Sequence, residues 1–124
     1  MEVRAILRDC GIPPRKVRLV TETVKGRKVG AALDVLRYVP NASAKPILEL
    51  LKSAVANAEN NYALDANDMY IVQIVADPAP TVKRYRVASR RGMVRIMKRR
   101  SHITVVISDE YDLIPKEYRK KYGR

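Results

Sequence analysis

Between Glu2 and Arg8 the chain alternates: Val3, Ala5 and Leu7 fall on one side, Glu2, Arg4 and Arg8 on the other, and only Ile6 departs from the pattern. A period of two predicts a half-buried strand, which Gly11 and the Pro13–Pro14 pair close. The period then lengthens. From Pro14, tolerated in a first helical turn, Val17, Val20, Thr21 and Val24 share a face, with Arg15 opposite and Lys16 and Arg18 flanking it. Gly26 fits the position just past that helix. Val29, Ala32, Leu33 and Leu36 predict a second helix from about Lys28, ended by Pro40 and Asn41. A third and stronger pattern starts at Ser43, a good N-cap, with Pro46 in its first turn. Ile47, Leu50, Leu51, Ala54, Val55 and Ala58 follow at helical spacing, and Ala54, Ala56 and Ala58 predict that another element approaches closely.

After a polar turn at Asn60, Asn61 and Asp65–Asp68, the run from Met69 to Ala76 is β-branched and aromatic, predicting a strand buried on nearly both faces. Pro78 and Pro80 cannot donate ladder hydrogen bonds and predict a bulge or a departure from the sheet's centre. Ile103, Val105 and Ile107 alternate with His102, Thr104 and Ser108, a half-buried strand again. Gly92 lies between these two strands, so the pattern predicts a long hairpin with arms over 81–88 and 93–100. At about 3.3 Å per residue each arm reaches on the order of 25 Å. The expected architecture is α+β: three helices on a small antiparallel three-stranded sheet, with a projecting basic hairpin at about 78–103 inside a single globular domain over 1–110. The tail over 111–124 has no clear period; Leu113 and Ile114 are candidates for local docking, and its end reads as a mobile basic segment.

Charge changes the picture at one place. The stretch from Lys83 to Arg100 carries nine cations in 18 residues and no carboxylate, which is nine of the twelve formal net positive charges of the 124-residue chain. Arginine outnumbers lysine there seven to two, and Val87, Met93, Val94, Ile96 and Met97 are interleaved. A guanidinium forks onto phosphate and stacks on bases, and the apolar residues suit contact with nucleobases, sugars or protein. The expected partner is therefore a polyanion, and an extended basic finger suits the crevices of folded RNA better than a duplex groove. Anionic lipid rewards the same composition. No apolar run reaches membrane-span length and no signal-peptide core is present at the N-terminus, making the cytoplasm the expected location, without a membrane partner.

Catalytic chemistry is sparse. His102 is the sole histidine and Cys10 the sole cysteine, so His-pair and Cys-based metal sites are excluded, and no phosphate-cradling glycine loop occurs. No catalytic residue, cofactor or metal is expected. An RNA-processing enzyme using His102, or a free-standing RNA-binding protein using the arm for capture, stands as the alternative.

PRKVRLV at 14–20, SAVANAEN at 53–60, and Lys83-Arg84 with IMKRRSHITVV at 96–106 resemble, in order, the bacterial type of the large-subunit ribosomal protein L twenty-two family. The resemblance implies a large-subunit structural protein that binds ribosomal RNA and joins several RNA domains during assembly, with a hairpin tip in the wall of the nascent-peptide exit tunnel. Implied partners are large-subunit ribosomal RNA, neighbouring ribosomal proteins and the nascent peptide; no homo-oligomer is expected. Together with the charge pattern it nominates as RNA-binding Arg15, Lys16, Arg18, Lys25, Arg27, Lys28, Lys83, Arg84, Arg86, Arg95, Lys98, Arg99, Arg100, Ser101 and His102. The tunnel-facing tip would be Ala88, Ser89, Arg90, Arg91, Gly92 and Met93. The chain departs from the family where Pro13 stands for a usual Ser, where Arg100 stands for a usual Thr, and across the tip.

Overall fold

A computed structural model describes residues 1–88, 90 and 92–122. The elements run β1 (Glu2–Cys10), α1 (Pro14–Val24), α2 (Val29–Tyr38), α3 (Ala44–Tyr62), β2 (Tyr70–Ala88), β3 (Gly92–Ser108) and α4 (Lys116–Tyr122). The three strands form one antiparallel sheet in the order β1-β3-β2, with the last strand in the middle.

Helices α1, α2 and α3 lie against one side of this sheet and build the core. Val17, Val20 and Val24 of α1, Val29 and Ala32 of α2, and Ile47, Leu51, Ala54 and Ala58 of α3 meet Val3 and Ala5 of β1, Ile71 and Ile74 of β2, and Ile103, Val105 and Ile107 of β3. Ala54 and Ala58 are wholly buried, as close packing against α3 requires, while Ala56 faces solvent.

β2 differs from its expected burial on both faces. It buries Ile71, Ile74 and Ala76, but Gln73 is exposed and Val72 and Val75 are half-buried. The register slips between Ile71 and Gln73, and this extra residue lets Ile71 and Ile74, three apart, face the same core. A side covered by helices and a side left open replace the buried-strand reading. The α1–α2 connection pairs along the outer edge of β2, with Gly26 N–H donating to Ile71 O at 3.1 Å and Val29 N–H to Met69 O at 3.0 Å.

Ser43 does not cap α3. Its backbone is already helical (φ −69°, ψ −22°) and its hydroxyl is buried without a partner. Asn41 takes that role instead: its Oδ1 accepts from Ser43 N–H at 3.0 Å and its carbonyl from Ala44 N–H at 3.0 Å. At the other end Ala63 adopts the left-handed conformation (φ 54°) and donates its N–H to Ala58 O.

The aperiodic tail forms a fourth, short helix. Ile114 is fully buried, Leu113 is partly exposed, and Tyr118 lies so close to Gly26 that a Cβ there would sit 2.4 Å from the Tyr118 Cβ. Gly26 also has φ 81°, so two independent constraints select glycine.

Candidate nucleic-acid interface

β1 stops pairing at Cys10↔Ser101, whereas β2 and β3 continue to pair out to Ala88↔Gly92. Beyond Arg100 the sheet is therefore a two-stranded ribbon with no helix on either side, and its described side chains from Lys83 to Lys98 are all exposed. Directly opposed like charges would destabilise such a ribbon. The register avoids them: Lys83 faces Met97, Arg84 faces Ile96, Arg86 faces Val94, Arg95 faces Tyr85, Lys98 faces Val82 and Arg100 faces Ala79. The interleaved apolar residues thus separate cations across the strands while leaving the described cations from Lys83 to Arg99 in solvent. Among the described residues, ion pairs join Met1 to Asp109 and Glu110, Arg37 to Asp34, and Arg119 to Asp112, and none includes a ribbon cation.

Pro78 and Pro80 lie where the ribbon leaves the body, and between Ala79 and Val82 the register slips again, β2 carrying one residue more than β3. Beside this bulge opens a groove of about 520 Å³. The start of α1 supplies Arg15, Lys16 and Arg18, the ribbon's base supplies Arg99 and Arg100, and Pro13, Pro14 and Pro78 give it an apolar lining. Two clusters more than 80 positions apart in sequence are thereby joined into one basic groove. Arg18 Nη2 donates to Ala76 O at 2.8 Å, which ties α1 to β2 and holds that guanidinium at the groove's rim. Pro13 precedes α1 without any side-chain cap, so the positive end of the helix is not neutralised by a capping side chain.

The other nominated residues are distributed less simply. Lys25 lies over the Tyr118 ring at 5.5 Å and Lys28 over the Tyr70 ring at 5.7 Å, cation–π contacts that fix both near the body. Arg27 Nε donates to Thr23 O at 2.8 Å. Ser101 is fully buried and its hydroxyl donates to Ile12 O at 2.8 Å, so it holds the strand to the loop after β1 and offers nothing to solvent. His102 Nδ1 accepts from Asp9 N–H at 3.1 Å, and Arg100 Nη2 donates to Asp9 O. At the tip, Arg90 is exposed in a turn, Met93 is exposed, and Gly92 has φ 70° with open space where a Cβ would be. Ser89 and Arg91 lie outside the described residues.

Sequence reasoning passed over Asp9. It has φ 55° within a bulge of β1, where the register slips between Leu7 and Cys10. Aspartate is one of the few residues that tolerate this region, but an Asp before Cys10 and Gly11 carries no stronger signal than that. For metal, the described residues contain no cluster of three or more ligating side chains. No described helix is long and apolar enough to cross a membrane.

Comparison with known proteins agrees with this geometry. The family model described as Ribosomal protein L22p/L17e matches residues 5–108, from β1 to the end of β3. The Large ribosomal subunit protein uL22 of Clostridium novyi (strain NT) is 45% identical over 109 residues, covering 88% of this chain and 98% of that protein.

Proposed function

The chain belongs to the ribosomal protein L22p/L17e family, and from its place as a structural, non-enzymatic constituent of the large ribosomal subunit we propose how its own residues serve that role. The ribbon acts as a projecting hairpin inserted among segments of large-subunit RNA. Ten residues of β2 (79–88) and nine of β3 (92–100) extend beyond the three-stranded part, a reach of roughly 30 Å. Lys83, Arg84, Arg86, Arg95 and Lys98 contact the backbone along the arms, and Arg99 and Arg100 with Arg15, Lys16 and Arg18 seat a phosphodiester segment in the groove at the base. Lys25, Arg27 and Lys28 add contacts from the body. Held at both places, RNA from different domains is joined through one protein during assembly. The tip, Arg90 and Gly92–Met93 with its neighbours, faces the exit tunnel and the nascent peptide, and the protein serves as a single copy beside other ribosomal proteins.

The observation that carries this reading is the ribbon itself: exposed on both sides, without carboxylate partners among the described residues, and with cations kept apart by its register. Such a surface costs stability in isolation and is compensated only by a polyanion. Neutralising about six phosphates predicts that log affinity for large-subunit RNA falls with log salt at a slope of roughly −4 to −5. Filter binding across a salt series measures this, and a flat dependence would refute the electrostatic reading.

A further inference from the structure

A second cavity opens at the ribbon's base, lined by Ile6, Arg8, Asp9, Pro80 and His102, with a volume of about 410 Å³. Arg8 and His102 belong to the open side of the sheet, since Leu7 packs against the core and Ile103 is buried in it, whereas Ile6, on the edge strand, also borders Pro46, Glu49 and Leu50 of α3. Its chemistry differs from that of the basic groove. Asp9 takes part in no ion pair among the described residues, although Arg8 precedes it and Arg100 reaches its carbonyl. A carboxylate beside Arg8 and Arg100 offsets part of their attraction for phosphate and sets this cavity apart from the wholly basic groove.

We propose that this cavity receives one unstacked guanine base of large-subunit RNA. The inference rests on the RNA-binding reading above and adds a base-reading site to it. An ionised carboxylate only accepts hydrogen bonds, through two oxygens side by side. Guanine alone among the four bases presents two adjacent N–H donors, N1–H and the N2 amine, on its pairing edge. Cytosine sets one amine beside an acceptor, adenine does the same, and uracil places its N–H between two carbonyls. Ile6 and Pro80 give apolar walls for the faces of a ring, and the planar groups of Arg8 and His102 suit stacking, the usual means of holding a splayed-out base. At about 410 Å³ the cavity is large enough for one base.

The backbone that carries Asp9 is also fixed in advance. Asp9 sits in the left-handed region of a bulge, and its peptide groups are held from the neighbouring strand on both sides, the N–H by His102 Nδ1 and the carbonyl by Arg100 Nη2. Ordering cost on binding is thereby reduced.

The test uses the full chain and two probes. Uncharged nucleosides remove phosphate attraction: in ¹⁵N-labelled protein, guanosine should shift the amide signals of Arg8, Asp9 and His102, while adenosine, uridine and 1-methylguanosine, whose N1–H is blocked, should shift them several-fold less at equal concentration. Asp9→Asn keeps a residue that tolerates the left-handed region but turns one acceptor into a donor. It should unfold at the wild-type temperature, lose the guanosine response, and bind transcribed large-subunit ribosomal RNA about tenfold more weakly, the discrimination expected of one bidentate base contact. Equal responses to guanosine and 1-methylguanosine, or a guanosine response that survives Asp9→Asn, would overturn the proposal. So would wild-type RNA affinity in Asp9→Asn when Lys98→Ala/Arg99→Ala weakens it. If the wild-type protein shows no salt-dependent RNA binding, the RNA reading itself falls, and the nucleoside series still decides what the cavity recognises.

Discussion

Met93, Arg95 and Met97 sit in the same strand as Ile103, Val105 and Ile107, and strict alternation puts all six on one side of it, yet the first three are exposed and the last three fully buried. Three helices cover one end of the strand, and none of the described residues covers the other. At the covered end each side chain gains by leaving water, on the order of 25 cal/mol per Å² of apolar surface. At the bare end the same alternation arranges contacts for a partner. Residues of like type thus serve opposite ends in body and ribbon, and strand periodicity alone does not separate the two uses.

The sharpest way to break this contrast is to cut the same kind of side chain in both regions. Leu51→Ala, at a nearly fully buried position in α3, should cost about 2–5 kcal/mol in urea unfolding. Met97→Ala in the ribbon should cost less than about 0.5 kcal/mol. Comparable losses would mean that the ribbon packs against something of its own.

Binding should invert the ranking. Arg84→Ala with Arg86→Ala should leave the unfolding midpoint unchanged or raised, because repulsion is relieved. The pair should also reduce the salt slope for RNA by about 2, one for each phosphate that is no longer neutralised. A slope identical to wild type would remove these arginines from the interface.

Smaller effects probe how the body closes. Gly26→Ala forces a Cβ against Tyr118 and strains a backbone at φ 81°, and should destabilise by about 1–3 kcal/mol. Hydrogen exchange should then rise over α4 but not over the ribbon. Ala63→Gly, by contrast, relieves a left-handed alanine at the end of α3 and should stabilise by up to about 1 kcal/mol.

The smallest effect concerns the edge of the sheet at Met1. Hydrogen bonds to Asp109 first and then Glu110 raise the Met1 ammonium above its ordinary pKa of 8.0, and the same contact lowers Asp109 below its ordinary 3.8. The ammonium's contribution is complete below pH 8.0 and disappears as pH rises through its raised folded value. That of Asp109 is present above 3.8 and disappears as pH falls through its lowered value. Both groups are solvent-exposed, so NMR titration of Asp109 with and without N-terminal acetylation, rather than a melting curve, should register the coupling.

Much of the body was legible along the chain. The burial of Val17, Val20 and Val24, of Ile47, Leu51 and Ala58, and of Ile103, Val105 and Ile107 follows from periodicity, because one covered side per element leaves a period in the residues that line it. The concentration of charge between Lys83 and Arg100 was equally plain. Less legible were features set by offsets between strands. The bulge after Ile71 turned a strand read as buried on both sides into a one-sided one, and the capping role passed from Ser43 to Asn41 through a turn that composition does not specify. Ser101, expected among the RNA contacts, has its hydroxyl buried and bonded to Ile12 O.

By itself, then, the sequence determined which faces seek burial and which stretch concentrates the positive charge, since apolar spacing and net charge are properties of the chain read locally. Tertiary structure alone decided which distant groups meet. Antiparallel pairing set cations of one strand across from apolar residues of the other, and the packing of α1 against β2 brought Arg15, Lys16 and Arg18 to Arg99 and Arg100 on one side of the ribbon's base. On the other side, one-residue slips in strand register, after Leu7 and after Ala79, accompany the meeting of Asp9 with His102 and Pro80. The physical reason is that strand register is a global quantity: each bulge shifts every later pairing, and no local pattern records the sum.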